Sequence, residues 1–261
     1  MKPPDLESPP VGATTFDRLL DGRLSLWQPE RGYRVTVDTL MLARFAASTG
    51  RPVVADLGCG AGAATVLLDA FAPIERVTLI DKDPTLTRLA ELNARAAGIE
   101  ASVHTLELGR DVLPRELDGS ADMVICNPPF FDRDSGRPPR DIERLSARFG
   151  KIEPFIAAAA RLLRGARARA QFAFPARSLS ELVQTAARCR LVPKRIRFVH
   201  GSPRRPARLA LVELRRGRAG GLVVETPLFE WTESGSRSQE LTALVLGSTV
   251  DRTELLRLPA R

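Results

Sequence analysis

One stretch of the chain, an apolar run followed by a glycine-rich turn, limits the fold more than any other. Residues 53–57 are apolar apart from one aspartate, which predicts a buried strand. Residues 58–62 contain three glycines, which permit a tight turn and a close approach of backbone to ligand. Residues 63–70 then predict a helix and residues 76–80 a second strand. This order is typical of the first half of a nucleotide-binding β-α-β unit, and it predicts an α/β fold.

The residues around this turn narrow the ligand without deciding it. Asp81 follows the second strand about 20 residues after the glycines, a spacing that suits a carboxylate bound to both hydroxyls of a ribose. Gly58, Gly60 and Ala63 also satisfy the dinucleotide pattern Gly-x-Gly-x-x-Gly/Ala, so an NAD or FAD protein stays open on these residues alone. Asp56 stands two residues before the first glycine, where methyltransferases commonly have an acidic residue.

A second motif, Asn127-Pro128-Pro129-Phe130, follows a buried strand predicted at residues 122–126. In an open α/β sheet, ligands bind at the carboxyl ends of the strands. An amine conjugated to a ring must pyramidalise before it attacks a methyl group, and acceptors such as the Asn127 side-chain oxygen and the Pro128 carbonyl favour that change. Prolines remove competing donors, and Phe130 offers a face on which a base can stack. We predict that all four residues are catalytic; the alternative is a proline turn that closes a strand.

The glycine turn, Asp81 and the Asn127 tetrapeptide together resemble class I S-adenosylmethionine-dependent N-methyltransferases. Residues 28–43 are similar to the N-terminal signature of the bacterial tRNA(Val) adenine-N6 methyltransferase family, and the similarity extends over about residues 16–247. The resemblance implies a Rossmann-like fold: a seven-stranded, mostly parallel sheet with one antiparallel strand and helices on both faces. It also implies S-adenosyl-L-methionine as the cofactor and the adenine just 3′ of a tRNA anticodon as the substrate. Thr36 and Thr39 stand where many members have glycine, and Phe130 replaces a commoner tyrosine.

The same resemblance implies a cofactor site. The glycine turn lies against the methionine part, Asp81 binds the ribose, and Glu107 accepts from the adenine amine. Asp38 and Thr39 reach the amino-carboxylate end. Helix-capping or surface roles stay open for these two residues and for Glu107, and Asp83 competes with Asp81. The expected cofactor residues are Asp38, Thr39, Asp56, Gly58, Cys59, Gly60, Gly62, Asp81, Glu107 and Asn127.

Charge is distributed unevenly along the chain. The formal net charge is +8, with 13 Lys+Arg against 18 Asp+Glu in residues 1–130 and 26 against 13 in residues 131–261. Such a one-sided field suits a phosphate-backbone partner, here tRNA. Because 35 arginines accompany only four lysines, a composition bias with a merely solvated basic face is the alternative. The expected RNA-contacting residues are Arg34, Arg195, Arg197, Arg204, Arg205 and Arg208.

The rest of the chain is expected to form one methyltransferase domain, residues 14–261, after a flexible arm at residues 1–13. Its parts are an N-terminal extension (14–50), a cofactor-binding half (51–130) and a basic, substrate-facing half (131–261). Residues 24–28 and 33–37 are expected to pair as strands. Asp38 then caps a helix over residues 38–47. Residues 131–153 form the longest irregular segment, which suits a substrate lid.

Several classes of protein are disfavoured by composition. No apolar run reaches 18 residues, so no membrane partner is expected, and the N-terminus lacks the apolar core of a secretory signal. Cys59, Cys126 and Cys189 have no metal-ligand spacing, so no metal is expected and a reduced cytoplasm is the simplest location. A monomer is favoured. Ribosomal-RNA guanine N2 and a protein glutamine amide stay open as acceptors, because both are planar NH2 groups.

Overall fold

The computed structural model describes residues 13–128, 152–217 and 220–248. The expectations for the N-terminal arm up to residue 12, for Pro129 and Phe130, and for residues 131–151 of the irregular segment fall outside these ranges. The strands are β1 Thr14–Leu19, β2 Leu24–Pro29, β3 Val53–Leu57, β4 Arg76–Asp81, β5 Glu100–Thr105, β6 Met123–Cys126, β7 Arg169–Pro175, β8 Leu191–His200, β9 Ala207–Arg216, β10 Val223–Val224 and β11 Leu228–Phe229. The helices are α1 Val37–Ala46, α2 Ala63–Phe71, α3 Pro84–Ala96, α4 Glu153–Leu162, α5 Leu179–Arg188 and α6 Gln239–Val245.

The main sheet is mostly parallel, as the sequence predicts. Its order is β10-β8-β9-β7-β6-β3-β4-β5, and β11 also pairs with β8. Strand β9 runs antiparallel to both β7 and β8, whereas the other pairs are parallel. The predicted α/β fold with one reversed strand is confirmed, but the expected count of seven strands is wrong. The sheet has nine strands because β10 and β11 add two residues each, too few to leave a periodic signal.

Alternating strand residues build an apolar core on each face of the sheet. On one face, Val54 and Ile125 pack in a cluster with residues of α1, α2, α3 and α6. On the other face, Ala55 and Val124 pack in a cluster with residues of α4 and α5. Both faces of the central strands are therefore covered, which is why these strands are continuously apolar.

The N-terminal hairpin differs from its prediction. Strand β2 pairs with β1, in register from Thr14 opposite Pro29 to Leu19 opposite Leu24, and not with residues 33–37. Side-chain bonds hold that later segment instead: Gln28 Oε1 accepts from the backbone N–H of Val35 at 2.6 Å. This bond satisfies the Val35 N–H without a strand partner.

Helix α1 begins one residue earlier than predicted, with a different cap. Thr36 is the N-cap: its hydroxyl accepts from the backbone N–H of Thr39, whose hydroxyl accepts from the Thr36 N–H, in a reciprocal capping box. Asp38 therefore lies inside the first turn and is not the cap. In the described part of the chain no helix is long and apolar enough to cross a membrane, and no group of three or more His, Cys, Asp or Glu side chains is arranged to hold a metal ion.

Candidate active site

A cleft of about 660 Å³ opens at the carboxyl ends of the central parallel strands. Residues that follow or end four strands line it: Gly58 after β3, Asp81 at the end of β4, Glu107 after β5 and Asn127 after β6. This edge is the usual ligand site of open α/β sheets. The structure therefore brings together the glycine turn and the first residue of the predicted catalytic tetrapeptide.

Hydrogen bonds to the end of β4 hold the glycine turn in place. The backbone N–H groups of Gly58 and Cys59 both donate to the Ile80 carbonyl, at 2.8 and 3.1 Å. The N–H of Gly60 donates to Asp81 Oδ2 at 2.9 Å. Gly60 has φ +54°, and a side chain added there would meet nothing within 4 Å. The turn therefore presents bare backbone to the cleft, as a cofactor requires.

Gly62 has a different position from the one predicted. It is the N-cap of α2 with φ +77°, and it does not line the cleft. A Cβ atom at this position would lie 3.1 Å from Ala90 Cα in α3. The glycine allows close packing of α2 on α3, and its role as a cofactor residue stays a prediction.

Asp81 and Asp83 have separate roles, although both line the cleft. Asp83 is the N-cap of α3, and its Oδ1 accepts from the N–H of Thr85 at 2.8 Å. Asp81 Oδ1 accepts from the N–H of Asp83 at 3.0 Å, and Oδ2 accepts from Gly60. Each carboxylate oxygen of Asp81 keeps a second lone pair. Asp81 is thus the carboxylate positioned for a ligand hydroxyl, and capping accounts for Asp83.

Asp56 forms part of the cleft floor and is only 1% exposed. Its Oδ2 accepts from the Thr65 hydroxyl at 2.7 Å. Burial raises the pKa of Asp56 to about 7; the Thr65 bond opposes this shift, and the charge of Asp81 adds to it. The neighbouring Cys59 thiol also has its pKa raised, by burial first and then by the charges of Asp56 and Asp81. Both groups favour their neutral forms.

Glu107 stands at the wall of the cleft with a partly exposed side chain. Its carboxylate lies 3.6 Å from Lys82 Nζ and 3.5 Å from an Arg110 nitrogen, and both cations also line the cleft. Such exposed pairs are weak. They leave Glu107 free to exchange partners.

Asn127 points toward the start of α1. Its Nδ2 donates to the Thr39 hydroxyl oxygen at 3.0 Å, and both residues line the cleft. Pro128 follows and is buried. The catalytic roles of all four tetrapeptide residues stay predictions.

Asp38 forms an ion pair with Arg208. Its carboxylate accepts from Arg208 at 2.6 Å, and the same guanidinium binds Glu230 at 2.5 Å. The bond to Glu230 raises the pKa of Arg208 above its ordinary value, although burial opposes the shift. Asp38 is not among the residues that line the cleft, and its ion pair links α1 to the segment after β11; its expected role at the amino-carboxylate end of the cofactor stays a prediction.

Two other predicted RNA-contacting arginines are also held within the protein. Arg195 lies 3.1 Å from Glu213 and 3.0 Å from Glu225, with its guanidinium carbon 3.9 Å from the ring centre of Phe45. Arg197 pairs with Glu240 at 2.7 Å. These contacts, like those of Arg208, account for the arginines without RNA.

The remaining predicted arginines lie at the cleft mouth or in an exposed turn. Arg34 lines the cleft mouth and bonds to Asp17 and to the Thr15 hydroxyl. Arg204 is 83% exposed and pairs only loosely with Glu233, at 3.5 Å. Arg205 is exposed beside it, in the turn between β8 and β9. Because β8 is the second strand beyond the parallel strand β7 and runs in its direction, this turn lies at the cleft edge of the sheet.

The sequence reasoning missed Asn93. This buried residue of α3 accepts from the Trp27 N–H and donates to the carbonyls of Trp27 and Ala61, each at 2.8 Å. It therefore joins β2 to the glycine turn. A signal was present: Asn93 follows Leu89 by one helical turn, so it is a polar residue on an apolar face.

Comparison with known proteins finds similarity to methyltransferases. Residues 35–141 match the family model described as the methyltransferase small domain. A crystal structure from Agrobacterium tumefaciens, described as that of a predicted O-methyltransferase, superimposes with a TM-score of 0.65 at 22% identity, covering 81% of this chain and 97% of that one. This likeness shows the fold.

Two curated relatives differ in how much they cover. The release factor glutamine methyltransferase of Mycolicibacterium smegmatis is 33% identical over 120 residues, 43% of this chain and 42% of its own. The tRNA1(Val) (adenine(37)-N6)-methyltransferase of Flavobacterium johnsoniae is 23% identical over 211 residues, 80% of this chain and 89% of its own. The chain thus spans less than half of the first relative and most of the second.

Proposed function

We propose that this chain, which carries a methyltransferase small domain and has the class I methyltransferase fold, methylates the exocyclic N6 of an adenine in tRNA. The methyl donor is S-adenosylmethionine, and the adenine lies next to the anticodon of tRNA-Val. One observation carries the proposal: the Asn127 amide lies in the same cleft as the bare backbone of the glycine turn. An acceptor for an amine thus stands beside a cofactor cradle.

The residues of the cleft fit this cofactor. The open space above Gly60 admits a ligand against backbone, and Asp81 offers a carboxylate to ribose hydroxyls. Glu107 follows β5, the strand next to β4, and has the cations Lys82 and Arg110 beside it. Its carboxylate offers the acceptor that the adenine amine of the cofactor needs. Bound S-adenosylmethionine would supply an electrophilic methyl group.

The tetrapeptide suits a planar NH2 nucleophile. Its nitrogen lone pair is delocalised into the ring, so attack requires pyramidalisation. The Asn127 oxygen and the Pro128 carbonyl accept the two N–H bonds and stabilise the charge that develops. No strong base is needed, because the methylated ammonium is acidic and loses its proton to water. Positioning by the cleft supplies the rest of the rate.

Two considerations favour RNA over a protein acceptor. The tRNA-methylating relative from Flavobacterium johnsoniae aligns along 80% of this chain, whereas the glutamine-methylating relative aligns along 43%. A glutamine acceptor also gives no reason for the basic second half. The glutamine amide is nevertheless the second candidate, since the aligned part is 33% identical. Ribosomal-RNA guanine N2 has the same planar chemistry.

The test is incubation of purified protein with methyl-labelled S-adenosylmethionine and total tRNA, followed by nucleoside mass spectrometry. N6-methyladenosine is expected, and tRNA from a strain lacking the gene should have lost it. Asn127→Ala should still bind cofactor yet transfer no methyl group. Label in guanosine, or in glutamine of a release factor offered in parallel, would replace the tRNA proposal with one of its rivals.

A further inference from the structure

We infer that Thr39 is a positioning residue that sets which end of the Asn127 amide faces the acceptor amine. This inference rests on the proposed methyl transfer and adds a requirement to it. An amide has two donors at its nitrogen end and only acceptors at its oxygen end. A target NH2 group needs an acceptor, so only one of the two amide orientations is productive.

The contact that selects the orientation is direct. Asn127 Nδ2 donates to Thr39 Oγ1 at 3.0 Å. Among the described residues no donor is bonded to the Asn127 oxygen, and Asn127 lines the cleft. With its nitrogen bound to Thr39, the amide leaves its oxygen available to an incoming amine.

The surroundings of Thr39 keep its oxygen an acceptor. Its Oγ1 lies 3.5 Å from the Thr36 N–H, which can only donate, and 3.4 Å from Thr36 Oγ1, which can take its hydroxyl proton. Thr39 itself is 7% exposed, and the capping box of α1 fixes its rotamer. When the Thr39 hydroxyl donates to Thr36 Oγ1, its own oxygen presents lone pairs to Asn127.

The consequence for rate follows from population. In the reversed amide, the Asn127 NH2 group would face the NH2 group of the substrate, and molecules in that orientation would be inactive. If the two orientations were equally stable, half of the molecules would be in the inactive one. Valine has the shape of threonine without its acceptor, so Thr39→Val removes the preference and leaves Asn127 in place. Serine keeps the acceptor.

The test uses the full chain with total tRNA and S-adenosylmethionine. We expect kcat of Thr39→Val to fall about twofold, the loss when the two amide orientations become equally populated and one of them is inactive. Its cofactor Kd, measured by calorimetry, separates a lost cofactor contact from a lost positioning role: kcat at saturating cofactor should fall whatever the change in Kd. Thr39→Ser should recover most of kcat. The matched control is Thr78→Val: Thr78 is 8% exposed and accepts from the Ser102 hydroxyl at 3.1 Å on β4, outside the cleft lining.

A second readout does not depend on activity. In NMR spectra of the 15N-labelled protein, the Asn127 side-chain NH2 signals, identified by their loss in Asn127→Asp, should exchange with solvent faster in Thr39→Val than in the wild type. Unchanged exchange together with wild-type kcat would overturn the inference, as would equal losses of kcat in Thr39→Val and Thr78→Val. A wild-type protein that methylates no tRNA would refute the proposed function, while the exchange measurement would still decide the role of Thr39.

Discussion

The backbone N–H of Gly60 and the Oδ2 atom of Asp81 form a hydrogen bond of 2.9 Å that joins the glycine turn to the end of β4. The carboxylate that we propose as the ribose ligand therefore also holds the backbone that would lie against the rest of the cofactor. Loss of its charge should affect both.

We predict that Asp81→Asn weakens binding of S-adenosylmethionine by about tenfold or more, because a charge-assisted acceptor becomes a neutral one and the amide has only one acceptor atom for two partners. Asp83→Asn should lose far less affinity, since asparagine caps a helix as well as aspartate does. Titration calorimetry on the two variants gives the comparison. Equal losses would mean that the two carboxylates share the role.

Stability should depend on the protonation of Asp56. The pKa of this carboxyl is raised to about 7 from 3.8, so between these values the folded protein keeps a proton that the unfolded chain has lost. Stability from this group is full below about pH 4 and is lost as pH rises through 7. Urea unfolding at pH 5 and pH 8 should show a loss on the order of 2 kcal/mol in the wild type that Asp56→Asn lacks. Parallel profiles would show that Asp56 is ionised in the folded state.

Gly62→Ala should destabilise the protein more than the backbone strain alone explains. Its added methyl would contact the backbone of Ala90, whereas a methyl at Gly98 would meet nothing within 4 Å at nearly the same φ, +76° against +77°. Gly98→Ala therefore measures the strain of the left-handed backbone. We expect Gly62→Ala to cost about 1–3 kcal/mol more, the usual penalty of overpacking. Matching urea midpoints would show that α3 moves aside freely.

Arg195→Ala should reduce stability. It would leave Glu213, whose side chain is 5% exposed, with Gln171 and Arg215 as remaining partners. Burial alone would raise the pKa of Glu213, but the bond from Gln171 and the charges of Arg195 and Arg215 lower it overall. We expect a loss of about 2–4 kcal/mol in the free energy of unfolding, as for one broken partner of a buried pair. A stable variant with weakened tRNA binding would restore the RNA role of Arg195.

The exposed turn between β8 and β9 should instead contact RNA. The double variant Arg204→Ala/Arg205→Ala is expected to raise KM for tRNA and to reduce the salt dependence of binding, because each lost phosphate contact lowers the slope. The control is Arg76→Ala, which removes an exposed arginine paired with Glu75 at the start of β4, the opposite edge of the sheet. Filter binding at two salt concentrations separates the variants; identical slopes would contradict the prediction.

Local patterns allowed the sequence to predict much of this molecule. The buried strands β3 and β6, the glycine turn and the position of Asn127 each follow from contiguous residues. The N-cap of α1 was missed because Thr36 and Asp38 are both good capping residues and lie two positions apart. Which of them caps the helix depends on the residue at which the helix begins.

The partners of the arginines could not be predicted from the sequence. Arg195 and Arg204 are equivalent in a charge count, yet one lies beside buried Glu213 and the other in an exposed turn. Which partner an arginine meets depends on strand register, here Arg195 opposite Glu213, and register is not written in local composition. The packing role of Gly62 depends in the same way on a helix 28 residues further along the chain.

The Asn93 amide has a consequence beyond architecture. It bonds the Trp27 backbone in the N-terminal hairpin and the Ala61 carbonyl of the glycine turn, so loosening either segment leaves part of this buried amide without its partner. Order in the two segments is thermodynamically linked, and linkage is reciprocal. Whatever binds against the turn stabilises the hairpin as well, and a hairpin held in place by a partner would in turn tighten the grip on the ligand.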